Sequence, residues 1–463
     1  MNQPELIATS AGRLRDGASV EDLIDRERRE VAMRVMSDPE IYQLELERIW
    51  ARNWIVLAHE SEIPEPGDFV TRKIGDDPVI LTRDTNGEIR CLLNVCPHRG
   101  ATVCRTDAGN NKLFRCIYHG WAFNLDGSVR GIPFREQMYG DCTEDVGQVG
   151  LRRARVEVFA GIVFVCWDES APPLRDYLGE FGYYLDLMFN RTRRGLEVLG
   201  PPQRFVINAN WKTAAEQFGG DGYHAGQLHR YLGAALGVNM SDPRVGQMHA
   251  PKVSTPEGHN IICFDLEDMF AMIGGGKELS PLERINMLPP PGVPPQLVHE
   301  VVESLGEKEL KLMTSTPPSN GGLFPNVGLW NTAYNPLPDG RPAPFISFRT
   351  YVPVGADKFE FCMWVLVARD ADEEYREQVR LATSFTQGAA GFIEGDDGEI
   401  WPGQYQGSKG FIARQSTMKY WALAGNHPPA GWPGGGNVHT PFSKDDSQWA
   451  WWTRYFELMS RKA

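Results

Sequence analysis

Two short clusters of cysteine and histidine carry the strongest chemical signal in this chain: Cys96-Pro97-His98 and Cys116-Ile117-Tyr118-His119, with 17 residues between them. Each cluster holds one thiol and one imidazole. Two thiolates and two imidazoles suit a [2Fe–2S] cluster in which the cysteines hold one iron and the histidines the other, which raises the reduction potential above that of an all-thiolate cluster. A Cys2His2 set also suits zinc, but zinc modules commonly pair cysteine with cysteine and histidine with histidine. Here each half carries one of each. Pro97 stiffens the first loop. Gly100 and Gly120 follow the histidines and are expected to let the backbone approach inorganic sulfur.

A second group lies downstream. His224 and His229 are five apart, and Asp221 stands three before the first. On a helix Asp221 and His224 share a face. His224 and His229 would lie about 140° apart on an ideal helix, so they converge only if it bends or loosens near Gly222 and Gly226. A histidine pair of this kind is commonly structural. Residues 391–401 supply the adjacent acids Asp396 and Asp397, which alone read equally as a solvated turn or a helix cap. Taken with the two histidines, one aspartate completes a 2-His-1-carboxylate triad, which binds Fe(II) on one face and leaves positions open for O2 and substrate.

The strings CPHRGA (residues 96–101) and CIYHGWAF (residues 116–123) resemble the Rieske motif of ring-hydroxylating oxygenase large subunits, and residues 210–229 and 391–401 resemble the catalytic motifs of the same family. The resemblance spans nearly the whole chain. It implies Cys96, His98, Cys116 and His119 as cluster ligands, His224, His229 and Asp397 as ligands of a mononuclear Fe(II), Asp396 as the runner-up acid, and Asp221 as an aspartate bridging the two centres across subunits. Gln217 stands where these enzymes usually carry asparagine beside the iron, one carbon longer. Phe218, Leu228, Gln387 and Ile393 match pocket positions. A polar Gln387, where hydrocarbon dioxygenases often have phenylalanine, suits an aromatic carboxylate such as a phthalate. Unsubstituted and polycyclic aromatics are the alternative, and an electron-transfer protein without oxygenase activity a more distant one.

The implied activity is cis-dihydroxylation of an aromatic ring by O2, with electrons from an external ferredoxin or reductase. At 463 residues the chain resembles large subunits of α3β3 enzymes, which pair with a small β subunit, more than the shorter homotrimeric monooxygenases.

These sites need positioning elements. Residues 21–36 and 39–54 read as amphipathic helices. Short β-type runs with turn signals such as Asn86-Gly87 and Asp126-Gly127 fill residues 54–168, ending in a ten-residue apolar run, 158–167, that reads as one buried strand. Helices are expected over 174–189, 211–232, 373–386 and 445–459, strands over 204–208, 258–265, 345–354 and 358–367, and a proline-rich surface loop or lid over 281–295. Separate helices and strands without βαβ alternation argue an α+β fold. The expected organisation is N-terminal helices in 1–53, a β-rich Rieske domain in 54–170, and a catalytic α+β domain in 171–463, the last with a large antiparallel sheet flanked by helices.

Composition is that of a globular protein, 42% hydrophobic and 23% charged. A net charge of −13 disfavours nucleic acid as partner. The apolar runs are too short for a membrane span. Eight dispersed cysteines read as cluster ligands and free thiols of a cytoplasmic protein.

Overall fold

Short strands joined by tight glycine turns build the first part of the chain. The computed structural model describes residues 13–461, apart from 232–238, 240–241, 274–276, 333–336 and 338–342. The chain divides into two units, one formed by Leu44–Leu174 and the other by Gly12–Gln43 with Arg175–Lys462. Residues 44–53, expected with the N-terminal helices, fall in the first unit.

That first unit holds a seven-stranded antiparallel sheet in the order Ile55–His59, Ile162–Cys166, Arg153–Phe159, Ile89–Leu93, Asp77–Arg83, Asp68–Ile74, Ala108–Asn110. A smaller sheet pairs Phe114–Arg115, Ala122–Phe123 and Val129–Gly131. Ile80, Leu92, Phe114 and Phe123 form a core that includes Cys96 and Cys116. The apolar run at 158–167 is not one strand. Ala160 and Gly161 take positive φ of 49° and 80° and turn it into a hairpin, with Phe159 opposite Ile162.

The second unit is built on a nine-stranded antiparallel sheet whose long central pair is Phe345–Pro353 with Phe359–Ala368. Helices Trp211–Phe218, Glu373–Thr386, Glu394–Lys409 and Asp446–Met459 belong to the same unit.

Four further expected elements differ. Residues 21–36 form no α-helix: Val20–Leu23 and Met33–Met36 are 3-10 turns around a hairpin, and Glu30–Ala32 pairs with Thr417–Lys419. A distant strand partner overrides local helical periodicity there. The helix of 39–54 divides into an α-helix, Pro39–Glu45, and a π-helical turn, Leu46–Trp50. Residues 281–287 form a helix rather than a loop, because Ser280 and Glu283 make a reciprocal capping box and Pro281 occupies the first turn. The helix expected over 211–232 stops at Phe218; residues 232–238 lie outside the described residues.

Candidate metal centres

The two cysteine–histidine loops share one hydrogen-bond frame. The Cys96 N–H donates to Ala101 O (2.8 Å) and the Gly100 N–H to Cys96 O (2.9 Å). In the second loop the Cys116 N–H donates to Trp121 O (2.8 Å) and the Gly120 N–H to Cys116 O (3.0 Å). Gly100 and Gly120 close the two loops at φ 74° and 73°, a region open chiefly to glycine. The frame brings the His98 and His119 rings to 4.4 Å between centroids, and the Cys96 and Cys116 thiols are buried. Trp121 stacks on His98 at 5.1 Å and 3°. His98 Nδ1 is buried with no hydrogen-bond partner. A buried imidazole nitrogen left unpaired inside a thiol-bearing loop fits a metal ligand, and Cys96, His98, Cys116 and His119 together offer the donor set of a [2Fe–2S] cluster.

The second centre begins at the Trp211–Phe218 helix, capped by Asn210, whose side chain accepts from the Lys212 N–H. Glycine ends this helix. Gly220 has φ 109°, and a Cβ on Gly222 would collide with Phe442 O. The chain then turns sharply into a 3-10 segment, His224–Gly226. Asp221 Oδ1 stabilises the turn by accepting from the Tyr223 and His224 N–H groups (2.9 and 3.2 Å). Its Oδ2 lies 3.4 Å from His224 Nδ1.

Released from helical spacing, His224 and His229 face one another, 5.0 Å between ring centroids. The acidic segment reaches them from the first turn of the Glu394–Lys409 helix, which the sequence reading left as a turn or cap. Its four glycines and Pro402 hide the helix from propensity arguments. Asp397 Oδ1 stands 3.4 Å from His229 Nε2 and 3.9 Å from His224 Nε2. One donor atom each from His224, His229 and Asp397 lies within 4.8 Å of the others, a set that fits a facial triad. Asp396 is elsewhere: its Oδ2 sits 3.4 Å from His229 Nδ1, the outer nitrogen of that ring. Each histidine thus faces Asp397 with one nitrogen and a second carboxylate with the other. Burial pushes the His224 imidazole down, but the Asp221 and Asp397 carboxylates outweigh it and raise its pKa to about 9. Burial likewise pushes Asp397 up, yet His229, His224 and Gln217 hold it below the usual carboxylate range. Metal binding therefore competes with a proton on His224.

Gln217 Nε2 donates to Asp397 Oδ1 (2.6 Å) and lies 3.2 Å from His224 Nε2. The three ligand-type residues open onto a cavity of about 550 Å³ whose wall includes Phe218, Phe264, Phe270, Leu288 and Ile393. Leu228 and Gln387 are not among the lining residues. Gln387 is 2% exposed and accepts a hydrogen bond from Arg349 (3.2 Å). Arg349 also pairs with Glu394 and stacks on Phe218 at 5.0 Å. This buried cation was missed from the sequence, where nothing distinguishes it from other strand residues.

Residues 53–151 match the model of the Rieske [2Fe-2S] domain. The chain is 34% identical over 412 residues to the biphenyl dioxygenase subunit alpha of Metapseudomonas furukawaii, covering 86% of this chain and 84% of the other. It is 31% identical to the N,N-dimethyl phenylurea N-demethylase subunit alpha of Sphingobium sp., covering 96% of each. Among solved structures, naphthalene 1,2-dioxygenase from Rhodococcus sp., bound to indole, superposes with a TM-score of 0.81 at 33% identity, over 93% of this chain and 94% of the other. The chain belongs to the large, or α, subunits of the Rieske non-heme iron aromatic ring-hydroxylating dioxygenases. It uses a Rieske cluster, a mononuclear iron and O2. No described helix is long and apolar enough to cross a membrane.

Proposed function

We propose that this α subunit adds both atoms of O2 to adjacent carbons of an uncharged aromatic ring, giving a cis-dihydrodiol. The balance is one O2, two electrons and two protons per ring. The observation that carries this reading is the triad of His224, His229 and Asp397 at an apolar cavity large enough for one or two fused rings. Bound iron supplies O2 activation, and the Rieske cluster supplies electrons one at a time. The residues hold the metals, exclude water and orient the ring: Cys96, His98, Cys116 and His119 hold the cluster, and Phe218 and Ile393 face the substrate.

An aromatic carboxylate is not supported. Arg284 is the one arginine or lysine among the described lining residues, and Glu267 takes its guanidinium through two hydrogen bonds of 2.6 and 2.8 Å. Arg349 is not among the lining residues; its guanidinium lies over the Phe218 ring and bonds Glu394 and Gln387. The relatives named for biphenyl, naphthalene and benzene point the same way. N-dealkylation is a second reading, favoured by the phenylurea demethylase relative that matches almost end to end.

The same reading includes a small β subunit in an α3β3 assembly, with a homotrimer as the alternative, a ferredoxin or reductase as electron donor, and a cytoplasmic location. It also includes Asp221 as the bridge between His119 of one subunit and His224 of the next. The test is turnover under 18O2 with biphenyl, naphthalene, phthalate and an N-methylated arylurea. Doubly labelled diol from a hydrocarbon supports the proposal; diol from phthalate alone overturns the substrate class, and formaldehyde release from the urea selects dealkylation.

A further inference from the structure

Gln217 carries an amide that is oriented from behind. Its Oε1 accepts a 2.7 Å hydrogen bond from Trp401 Nε1, while its Nε2 donates to Asp397 Oδ1 at 2.6 Å. Trp401 and Asp397 are four residues apart on the Glu394–Lys409 helix, hence on one face. Gln217 comes from the neighbouring Trp211–Phe218 helix and bridges the two. The Trp401 indole is fully buried and fixed among Tyr351, Phe359 and Phe361, at ring-centroid distances of 6.0, 5.8 and 6.5 Å. Its N–H is a donor only, so it can bond the amide oxygen and never the amide nitrogen.

We infer that Trp401 is a positioning residue that fixes the sense of the Gln217 amide, so that the iron ligands meet an N–H donor and not a carbonyl oxygen. This rests on His224, His229 and Asp397 being the iron ligands. Two consequences follow from the geometry. The amide oxygen, engaged by the indole, is withheld from the metal, which keeps the triad at three protein ligands. The amide N–H holds Asp397 Oδ1, restricting how the carboxylate can rotate. The longer side chain of glutamine matters here, because the amide reaches Trp401 and Asp397 at once.

The experiment compares Trp401→Phe, Gln217→Leu and the double variant, with nitric oxide bound to the ferrous site as the probe. Trp401→Phe keeps the ring and removes the N–H. The expected result is retained iron and an unchanged Rieske signal, an altered ferrous–nitrosyl EPR spectrum, and turnover lowered about tenfold or more. Because Trp401 acts through Gln217, the double variant should match Gln217→Leu alone, a non-additive cycle. An unaltered nitrosyl spectrum in Trp401→Phe, or effects that simply add, would overturn the inference, since an indole that merely packs acts independently of Gln217. Should Trp401→Phe fail to fold, Gln217→Glu carries the test: it presents a second carboxylate to the ligands and should change the nitrosyl spectrum, and an unchanged spectrum refutes the orientation. Loss of iron binding in Asp397→Ala checks the triad separately, so the two readings fail on different observations.

Discussion

Adjacent acids can hold different offices when a helix turns one of them away. Asp397 faces both histidines, while Asp396 reaches only the outer nitrogen of His229. Asp397→Ala is expected to abolish iron binding and turnover while leaving the cluster reducible; Asp396→Ala should keep iron and lose about tenfold in activity or metal affinity. Iron analysis of the two variants separates the roles. The residue types of this centre were legible because ligand chemistry admits few side chains. Trp401 and Arg349 were not, since their role depends on what they touch. A second prediction concerns Glu216, pushed up to about 8 by burial, with Asp221 adding to it, against an ordinary value of 4.5. Between those values the unfolded chain has lost a proton that the folded chain keeps. Stability from this group is therefore full below 4.5 and lost as pH rises toward 8. Glu216→Gln removes the dependence. Denaturant unfolding should show variant and wild type nearly equal at about pH 5 and the variant more stable above about pH 8, by roughly 1–3 kcal/mol.

At the scale of elements, glycine placement decides whether the histidines meet. Gly222 lies against the Phe442 carbonyl, where a Cβ has no room. Gly222→Ala should displace the Asp221–His224 turn and reduce mononuclear iron content, with the Rieske absorption intact. Metal analysis beside the visible spectrum reads both. The central hairpin of the sheet was legible because Phe345–Pro353 and Phe359–Ala368 are long runs rich in aromatic and β-branched residues on either side of Gly355. The N-terminal hairpin was not: Glu30–Ala32 becomes a strand through Thr417–Lys419, a partner no local window contains. The Glu394–Lys409 helix escaped notice for a related reason. Its glycines and proline argue against helix, and burial of Asp397, Trp401 and Tyr405 on one face overrides them.

For the whole molecule, the proposed bridge predicts a defect that neither metal shows alone. One oxygen of Asp221 braces its own turn and the other faces His224. Asp221→Asn preserves an acceptor for the turn while removing the charge. It should retain both metals and a reducible cluster yet lose most turnover, with product formation slowed in a single turnover of pre-reduced enzyme. Unchanged single-turnover rates would remove Asp221 from the electron path. The change in texture near residue 54 marks the start of the β-rich run, whose first long strand is Ile55–His59.

The β-rich unit also has its first and last long strands side by side, Ile55–His59 pairing with Ile162–Cys166. During synthesis this unit is complete once residue 174 has left the ribosome. The other unit must wait, since Glu30 bonds Thr417 across 387 residues, and such distant pairings close slowly. A nascent chain of that length already carries both cysteine–histidine loops and does not yet contain Asp397. Cluster loading is therefore expected to precede iron loading, and ribosome-stalled chains ending after residue 174 should already accept the cluster, as read from their visible spectrum.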